Sequence, residues 1–198
     1  RQLSYFMTDN NRKNFSCFKT YDVRGELGVN FDSNICYDIA RAFVDHLKAK
    51  EVVVGYDARE TSPGFAQIAA NGILDAGADV ITIGMAGTEE MYWAVTEYEA
   101  DAGIIVTASH NPINYNGMKI VKSESKPLDD NGDFKVIKKL AESKNWKKTL
   151  KRGTISNIAK DARKKYVNIV LKFINLSKLK PLKIVVNCGN GAAGQTFD

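Results

Sequence analysis

Between residues 34 and 50, apolar side chains recur at every fourth position: Ile35, Ile39, Phe43 and Leu47. That spacing predicts a helix with one buried face. Val52, Val53 and Val54, ending at Gly55, read as a short buried strand. Ser62-Pro63 then offers an N-cap and a first-turn proline. Phe65, Ile68, Ala69 and Ile73 give a second helical face, and Gly77 suits its C-terminal cap. Residues 80–83 predict a strand, 88–98 a helix, 104–106 a third strand and 118–121 a fourth.

The pattern changes after Val121. Residues 123–133 are polar, include Pro127 and Gly132, and read as a loop. Asp129, Asp130 and Asp133 fail the EF-hand spacing, which needs a glycine just after the third ligand and a late glutamate, so the stretch reads as a solvated turn. A short helix is expected from Lys135 to Leu140, a basic connector over residues 144–157 and a long helix over 159–176. Tyr166, Ile169, Val170 and Phe173 would form the apolar face of that helix. Residues 182–186 predict a new strand, followed by a glycine-rich turn at 189–194. Strand and helix alternate at short intervals, which specifies an α/β fold with helices on both sides of a mixed, largely parallel sheet. Ligand sites in such folds sit in the loops at the strand ends. The expected division is an N-terminal extension over 1–17, a first domain over 18–142, a linker over 143–158 and the truncated start of a second, similar domain over 159–198.

With 198 residues and 44% hydrophobic content, the chain can bury one sizeable core and part of another. No apolar run approaches the ~20 residues of a membrane span. The polar opening, residues 1–18, lacks a secretory signal's apolar stretch. No membrane partner is expected. Cys17, Cys36 and Cys188 are far apart and form no C-x-x-C pair, so neither a zinc site nor a disulfide framework is implied, and a reducing cytoplasm is the expected location. The net charge is +5, with more than half of the Lys and Arg residues between Lys135 and Lys183. Glu142, Asp161 and apolar residues interrupt that stretch and no aromatic platforms are interleaved, which argues against a nucleic-acid face. A modest positive balance suits a protein that handles phosphorylated metabolites.

Several segments could carry chemistry. Thr107-Ala108-Ser109-His110-Asn111-Pro112 brings a hydroxyl, an imidazole and an amide together just after a strand. A serine displayed there can act as a nucleophile or carry a phosphate; equally, Ser109 and Asn111 could satisfy backbone groups in a turn. Arg24, next to Gly25, could grip a phosphate with two parallel hydrogen bonds or pair with Asp22. Arg59 could simply pair with Asp57. Asn116-Gly117 is a turn signal, and Lys119 behind it is either solvated or catalytic. Residues 189–194 match G-x-G-x-x-G after an expected strand, a weak dinucleotide signal that a plain strand-to-helix turn explains as well. His46 reads as a surface or boundary residue, and Trp93 and Trp146 as structural.

In this order, Phe18 to Gly25, Gly55 to Arg59, Thr107 to Pro112 and Tyr115 to Lys119 resemble the alpha-D-phosphohexomutase family, for which the Thr-Ala-Ser-His-Asn-Pro hexapeptide is highly specific. Gly84 to Trp93 and Pro112 to Tyr115 are most similar to its phosphomannomutase branch, which feeds GDP-mannose and surface-polysaccharide synthesis. Tyr56, Glu89 and Asn187 depart from common family residues. The resemblance covers the family's first domain and the opening of its second, and likens residues 189–194 to a glycine turn there. It implies a reversible transfer of phosphate between O6 and O1 of a hexose phosphate, through a hexose 1,6-bisphosphate. It implies that Ser109 is the phosphoserine, that His110 contacts it, that Arg24 and Lys119 assist proton movement and bind phosphates, and that Tyr21 lines the sugar site. It also implies Mg2+, bound to the Ser109 phosphate and to an Asp-Gly-Asp-x-Asp-Arg loop that this sequence lacks. The chain alone is therefore expected to be inactive. The alternatives are the same chemistry on glucose or glucosamine phosphates, or a non-catalytic phosphate-binding fragment.

Overall fold

The computed structural model describes residues 15–129 and 132–197. Most of the expected extension (residues 1–14), Asp130 of the acidic loop and Asp198 lie outside the described residues.

In chain order the elements are β1 (Val23–Glu26), α1 (Ser33–Leu47), β2 (Glu51–Tyr56), α2 (Ser62–Asp75), β3 (Asp79–Met85), α3 (Thr88–Glu97), β4 (Ala102–Val106), β5 (Tyr115–Lys122), α4 (Asp133–Ser143), β6 (Ile155–Asn157), α5 (Ala159–Leu171) and the short α6 (Gly194–Phe197). The strands form one six-stranded sheet in the order β1-β5-β4-β2-β3-β6. β4, β2, β3 and β6 run parallel, while β5 is antiparallel to both β4 and β1. Helices cover both faces, giving the three-layer α/β arrangement that the alternating pattern requires.

Strand alternation sorts the side chains. One face presents Val23, Val52, Val54, Ile104, Val106, Met118 and Ile120 to α1, α2 and α4. There the helical stripe works as its spacing dictates: Ile35, Ile39 and Phe43 are buried and Leu47 is partly covered. The opposite face presents Val53, Ile105 and Val121 to Met91, Ala94 and Val95 of α3 and Ala162 of α5.

Several elements differ from expectation. The cap of α2 is Thr61 rather than Ser62, whose hydroxyl instead donates to Asp57 Oδ1 at 2.5 Å. Gly77 follows the Ala76 cap with a φ of +90°, a conformation glycine adopts without strain. Asn116-Gly117 is not a turn but lies inside β5. A Cβ on Gly117 would sit 1.9 Å from the Val23 carbonyl oxygen, so the glycine is what lets β1 approach. The basic connector carries β6, whose Ile155 to Asn157 register against Val80 to Thr82; Asp79 anchors it by accepting from the Thr154 amide at 2.6 Å and hydroxyl at 2.8 Å. Asp133 is not a solvated turn residue either. It starts α4 half-buried, between Lys122 Nζ and His46 Nε2, each at 2.8 Å. His46 is therefore a boundary residue with a partner.

The long helix stops at Leu171, so Phe173 lies beyond it and is 86% exposed. The covered side of α5 runs through Ala162 and Tyr166, with Tyr166 against Trp93 at a 5.5 Å ring separation. Glu90 of α3, itself buried, accepts from Arg163 Nε of α5 at 2.9 Å and from the Thr196 hydroxyl of α6 at 3.1 Å. The strand expected at 182–186 does not form: Leu182, Ile184, Val185 and Val186 are exposed, and no described residue pairs with them. A strand needs a neighbour for its N–H and C=O groups, and an apolar run without one has no ladder to join.

Candidate active site

β4 delivers the chain to the carboxyl end of the sheet, where Thr107 turns it. The Thr107 hydroxyl oxygen accepts the Ser109 amide at 2.9 Å, and the Asn111 amide donates to the Ala108 carbonyl at 3.0 Å. Local side-chain acceptance of this kind replaces the ladder bonds that β4 gives up. Ala108 is fully buried, while Ser109 and His110 are exposed. Ser109 has a φ of +52°, in the left-handed region that non-glycine residues seldom occupy. Its hydroxyl lies 3.3 Å from His110 Nδ1.

Arg24 reaches the base of this turn from β1. It is 8% exposed; one guanidinium nitrogen donates to the Thr107 carbonyl and another pairs with Asp22 at 3.1 Å. Burial lowers its pKa, and the charges of Asp22 and Asp57 oppose that effect. Arg24 is thus committed to the backbone beneath Ser109 as well as to Asp22.

Arg59 is the larger surprise. Its expected partner, Asp57, is 3.6 Å away. The guanidinium mainly reaches across the sheet end to four carbonyls of the serine turn: Ser109 at 2.9 Å, Asn111 at 2.5 Å, Pro112 at 2.9 Å and Tyr115 at 3.2 Å. Asp57 Oδ1 accepts from the Arg59 amide at 3.0 Å and from the Ser62 hydroxyl. Buried Asn116 closes the brace, donating to the hydroxyls of Thr61 at 2.9 Å and Ser62 at 3.0 Å.

Lys119 is half-buried on β5, opposite Ile105, on the face that carries Arg24. Among the described residues its ammonium has no hydrogen-bonding or ion-pair partner. Tyr21 is 76% exposed in the loop before β1. The structure brings Arg24, Ser109 and His110 to one turn, sets Lys119 along the strand beside them, and leaves Tyr21 projecting from the preceding loop. Cys17 and Cys36 are buried; burial pushes the Cys17 thiol up to about 12 and the Cys36 thiol higher than its ordinary value, so neither is a ready nucleophile.

Ser109, Arg59, Asp57 and Thr107 line an open cleft of about 650 Å3, whose far wall includes Asn190 and Gly191. The G-x-G-x-x-G stretch thus borders the serine turn. It follows no strand and leads into a four-residue helix, so it lacks the strand–turn–helix setting of a dinucleotide site. For a magnesium ion, the carboxylates beside the turn are already engaged, Asp22 by Arg24 and Asp57 by Ser62 and Arg59. No cluster of three His, Cys, Asp or Glu residues able to hold a metal occurs among the described residues. A phosphate on Ser109 would offer oxygen ligands, but the rest of a coordination shell does not come from these residues.

Arg59, Asp57 and Asn116 are the site residues whose roles sequence reasoning missed. Asp57-x-Arg59 at the end of a strand was the available signal, but the partners of Arg59 are backbone atoms some fifty positions away.

Fold and site together define an α/β domain that displays a serine hydroxyl at the carboxyl end of a parallel strand, braced by two arginines. The phosphoglucomutase/phosphomannomutase alpha/beta/alpha domain I matches residues 16–147, and the chain belongs to that family. A phosphomannomutase of Escherichia coli is 45% identical over 186 residues, 92% of this chain and 40% of that protein. One from Vibrio cholerae is 44% identical over 191 residues, 94% of this chain and 41% of its own length. A solved phosphoglucomutase/phosphomannomutase family protein from Burkholderia thailandensis matches with a TM-score of 0.81 at 30% identity, over 92% of this chain and 41% of that one. The chain therefore spans about 40% of the length of these relatives. No helix among the described residues is long and apolar enough to cross a membrane.

Proposed function

We propose that this chain is the phosphoserine-bearing part of a cytoplasmic phosphomannomutase, which interconverts mannose 6-phosphate and mannose 1-phosphate for GDP-mannose and polysaccharide synthesis. The observation that carries this reading is the Ser109 turn: an exposed hydroxyl held in a left-handed conformation, 3.3 Å from an imidazole, over a buried arginine. The identities to proteins named phosphomannomutase support the choice of sugar.

In the reaction, the bond from phosphorus to Ser109 Oγ breaks as a bond forms to the free hydroxyl oxygen of the sugar phosphate. The hydroxyl proton leaves to a base, and the product is mannose 1,6-bisphosphate. After the bisphosphate turns over in the site, its other phosphoryl group returns to Ser109, which restores the phosphoenzyme. A phosphoserine brings roughly −1.5 to −2 charges and the substrate brings more, so cations must surround the transferring group. His110 is adjacent to the hydroxyl, and the Lys119 ammonium is uncommitted among the described residues. Arg24, held at the Thr107 carbonyl, adds positive charge below. Tyr21 is assigned to the sugar side of the cleft. Magnesium, when bound to the phosphate, would neutralise charge on its oxygens; its protein ligands would come from outside the described residues. Residues 159–198 are read as the opening of a second domain; α5 rests on the first domain through Ala162 and Arg163, and the apolar segment at 182–186 has no strand partner among the described residues.

The test uses the full-length protein. Conversion of mannose 1-phosphate to mannose 6-phosphate, with radiolabelled phosphate trapped on Ser109, is the expected result. Label on another residue would refute the assignment, and a preference for glucose or glucosamine phosphates would refute the choice of sugar.

A further inference from the structure

We infer that Arg59 is a positioning residue for phosphoryl transfer: it fixes the Ser109 turn by drawing four of its carbonyls onto one guanidinium. The inference rests on Ser109 being the phosphate carrier.

The other bonds of the turn from Ser109 to Tyr115 are local to one end or the other. The Ser109 and Asn111 amides donate to the Thr107 hydroxyl and the Ala108 carbonyl, while the Tyr115 amide donates to the Pro112 carbonyl and Asn114 binds the Leu27 amide and Glu26. Ser109, Pro112, Ile113 and Asn114 are exposed, and Ile113 is 80% exposed. An exposed seven-residue stretch with a left-handed serine at its head would sample many conformations if left alone. Arg59 comes from a different loop, the one after β2, and donates to Ser109, Asn111, Pro112 and Tyr115 at 2.5 to 3.2 Å. These acceptors span the whole turn. A planar guanidinium can serve them together because its donors form a rigid fork; a lysine ammonium presents three donors from one point and cannot span the same set.

Arg59 is itself held. Its side chain is 13% exposed, and Asp57 lies beside it at 3.6 Å while accepting from the Arg59 amide. Ser62 and Asn116 link Asp57 back to the start of α2 and to β5. The brace therefore runs from the sheet, through the first turn of α2, to the carbonyl of the phosphate-carrying residue. Four carbonyl oxygens surround the two terminal nitrogens of the guanidinium, which turns them to the backbone and leaves the phosphate to other cations, while Nε faces Asp57 at 3.6 Å. The consequence is geometric. In-line transfer to and from Ser109 Oγ needs the oxygen fixed to a fraction of an ångström, and displacement of about 1 Å costs on the order of 100-fold in rate.

The experiment compares Arg59→Ala, Arg59→Lys and Ser109→Ala in the full-length protein. Arg59→Ala is expected to lower kcat about 100-fold with little change in KM for the sugar phosphate, the signature of a lost transition-state arrangement. Added guanidinium chloride at non-denaturing concentration should restore part of that kcat, and should not help Arg59→Lys, whose side chain fills the same space. Amide exchange over residues 109–115 should quicken in both variants while the strands stay protected. Full kcat in a folded Arg59→Lys, or a loss in Arg59→Ala that guanidinium leaves untouched, overturns the inference. Should Arg59→Ala fail to fold, kcat and exchange in Arg59→Lys decide the matter. Phosphate label persisting in Ser109→Ala would instead overturn the phosphoserine reading, whatever the Arg59 variants do.

Discussion

On the α1–α2–α4 side of the sheet, strand residues from Val23 to Ile120 meet Phe43, Phe65, Ile39 and Ile137 in a continuous apolar layer. On the α3 side, the same strands present Arg24, Gly117 and Lys119 next to Ile105 and Val121, and the apolar cluster is much smaller. One sheet thus has a face that holds the fold and a face that leaves room for charge. The difference follows from strand alternation: Arg24 and Lys119 can be charged because Val23, Met118 and Ile120 between them supply the burial on the other side.

The sharpest way to break this contrast is Ser109→Ala. On the open side, phosphate labelling should vanish completely while the urea midpoint stays within experimental error, because the hydroxyl is exposed and its known neighbour is His110. A large loss of stability would mean that the turn is part of the core after all. Next is Phe43→Ala on the closed side, which removes a fully buried ring of α1 and should cost about 3–5 kcal/mol in urea unfolding. Met91→Ala, the matching change on the α3 side, should cost about 2 kcal/mol, because that cluster is small and flexible Met leaves a gap that neighbours refill more readily. Equal losses for the two would erase the asymmetry.

The smallest effect concerns Asp133, which joins α1, β5 and α4 at the edge of the closed side. Burial raises its pKa, but hydrogen bonds from Lys122, the Asp129 amide and His46 outweigh burial and hold the carboxylate well below its usual range. A depressed native pKa contributes stability above the unfolded value of about 3.9 and loses it as pH falls through the native one. Asp133→Asn should therefore be less stable than the native protein near neutrality, and the gap should close as pH drops below about 4. Unfolding midpoints that run parallel at all pH values would refute this.

The long periodic elements were legible because one stripe or one run was enough to define them. α1, β2, β3 and β4 follow from apolar spacing or a short apolar run, and α2 from its apolar face together with Ser62-Pro63 and Gly77. β1 was not legible: Val23-Arg24-Gly25-Glu26 carries two charged residues and becomes a strand only because Gly117 lets it close on β5. β6 hides for a similar reason, since its three residues are exposed and gain their order from β3. The opposite error at residues 182–186 has the same root. An apolar β-branched run signals strand preference, and only a partner turns preference into structure. In the candidate site, residues 107–112 left two readings of the serine turn open and the family resemblance chose between them, whereas the Arg59 brace could not be read. Its acceptors are carbonyls, which every residue has, so no side-chain pattern announces them.

The left-handed backbone at Ser109 has a consequence for which amino acids the position can admit. Threonine has a hydroxyl, but its branched Cβ is strained at positive φ. Glycine and asparagine accept that backbone readily and bring no hydroxyl. Serine alone among the natural alcohols is small enough for the bend and still offers an oxygen, so mutational tolerance here should collapse to a single letter.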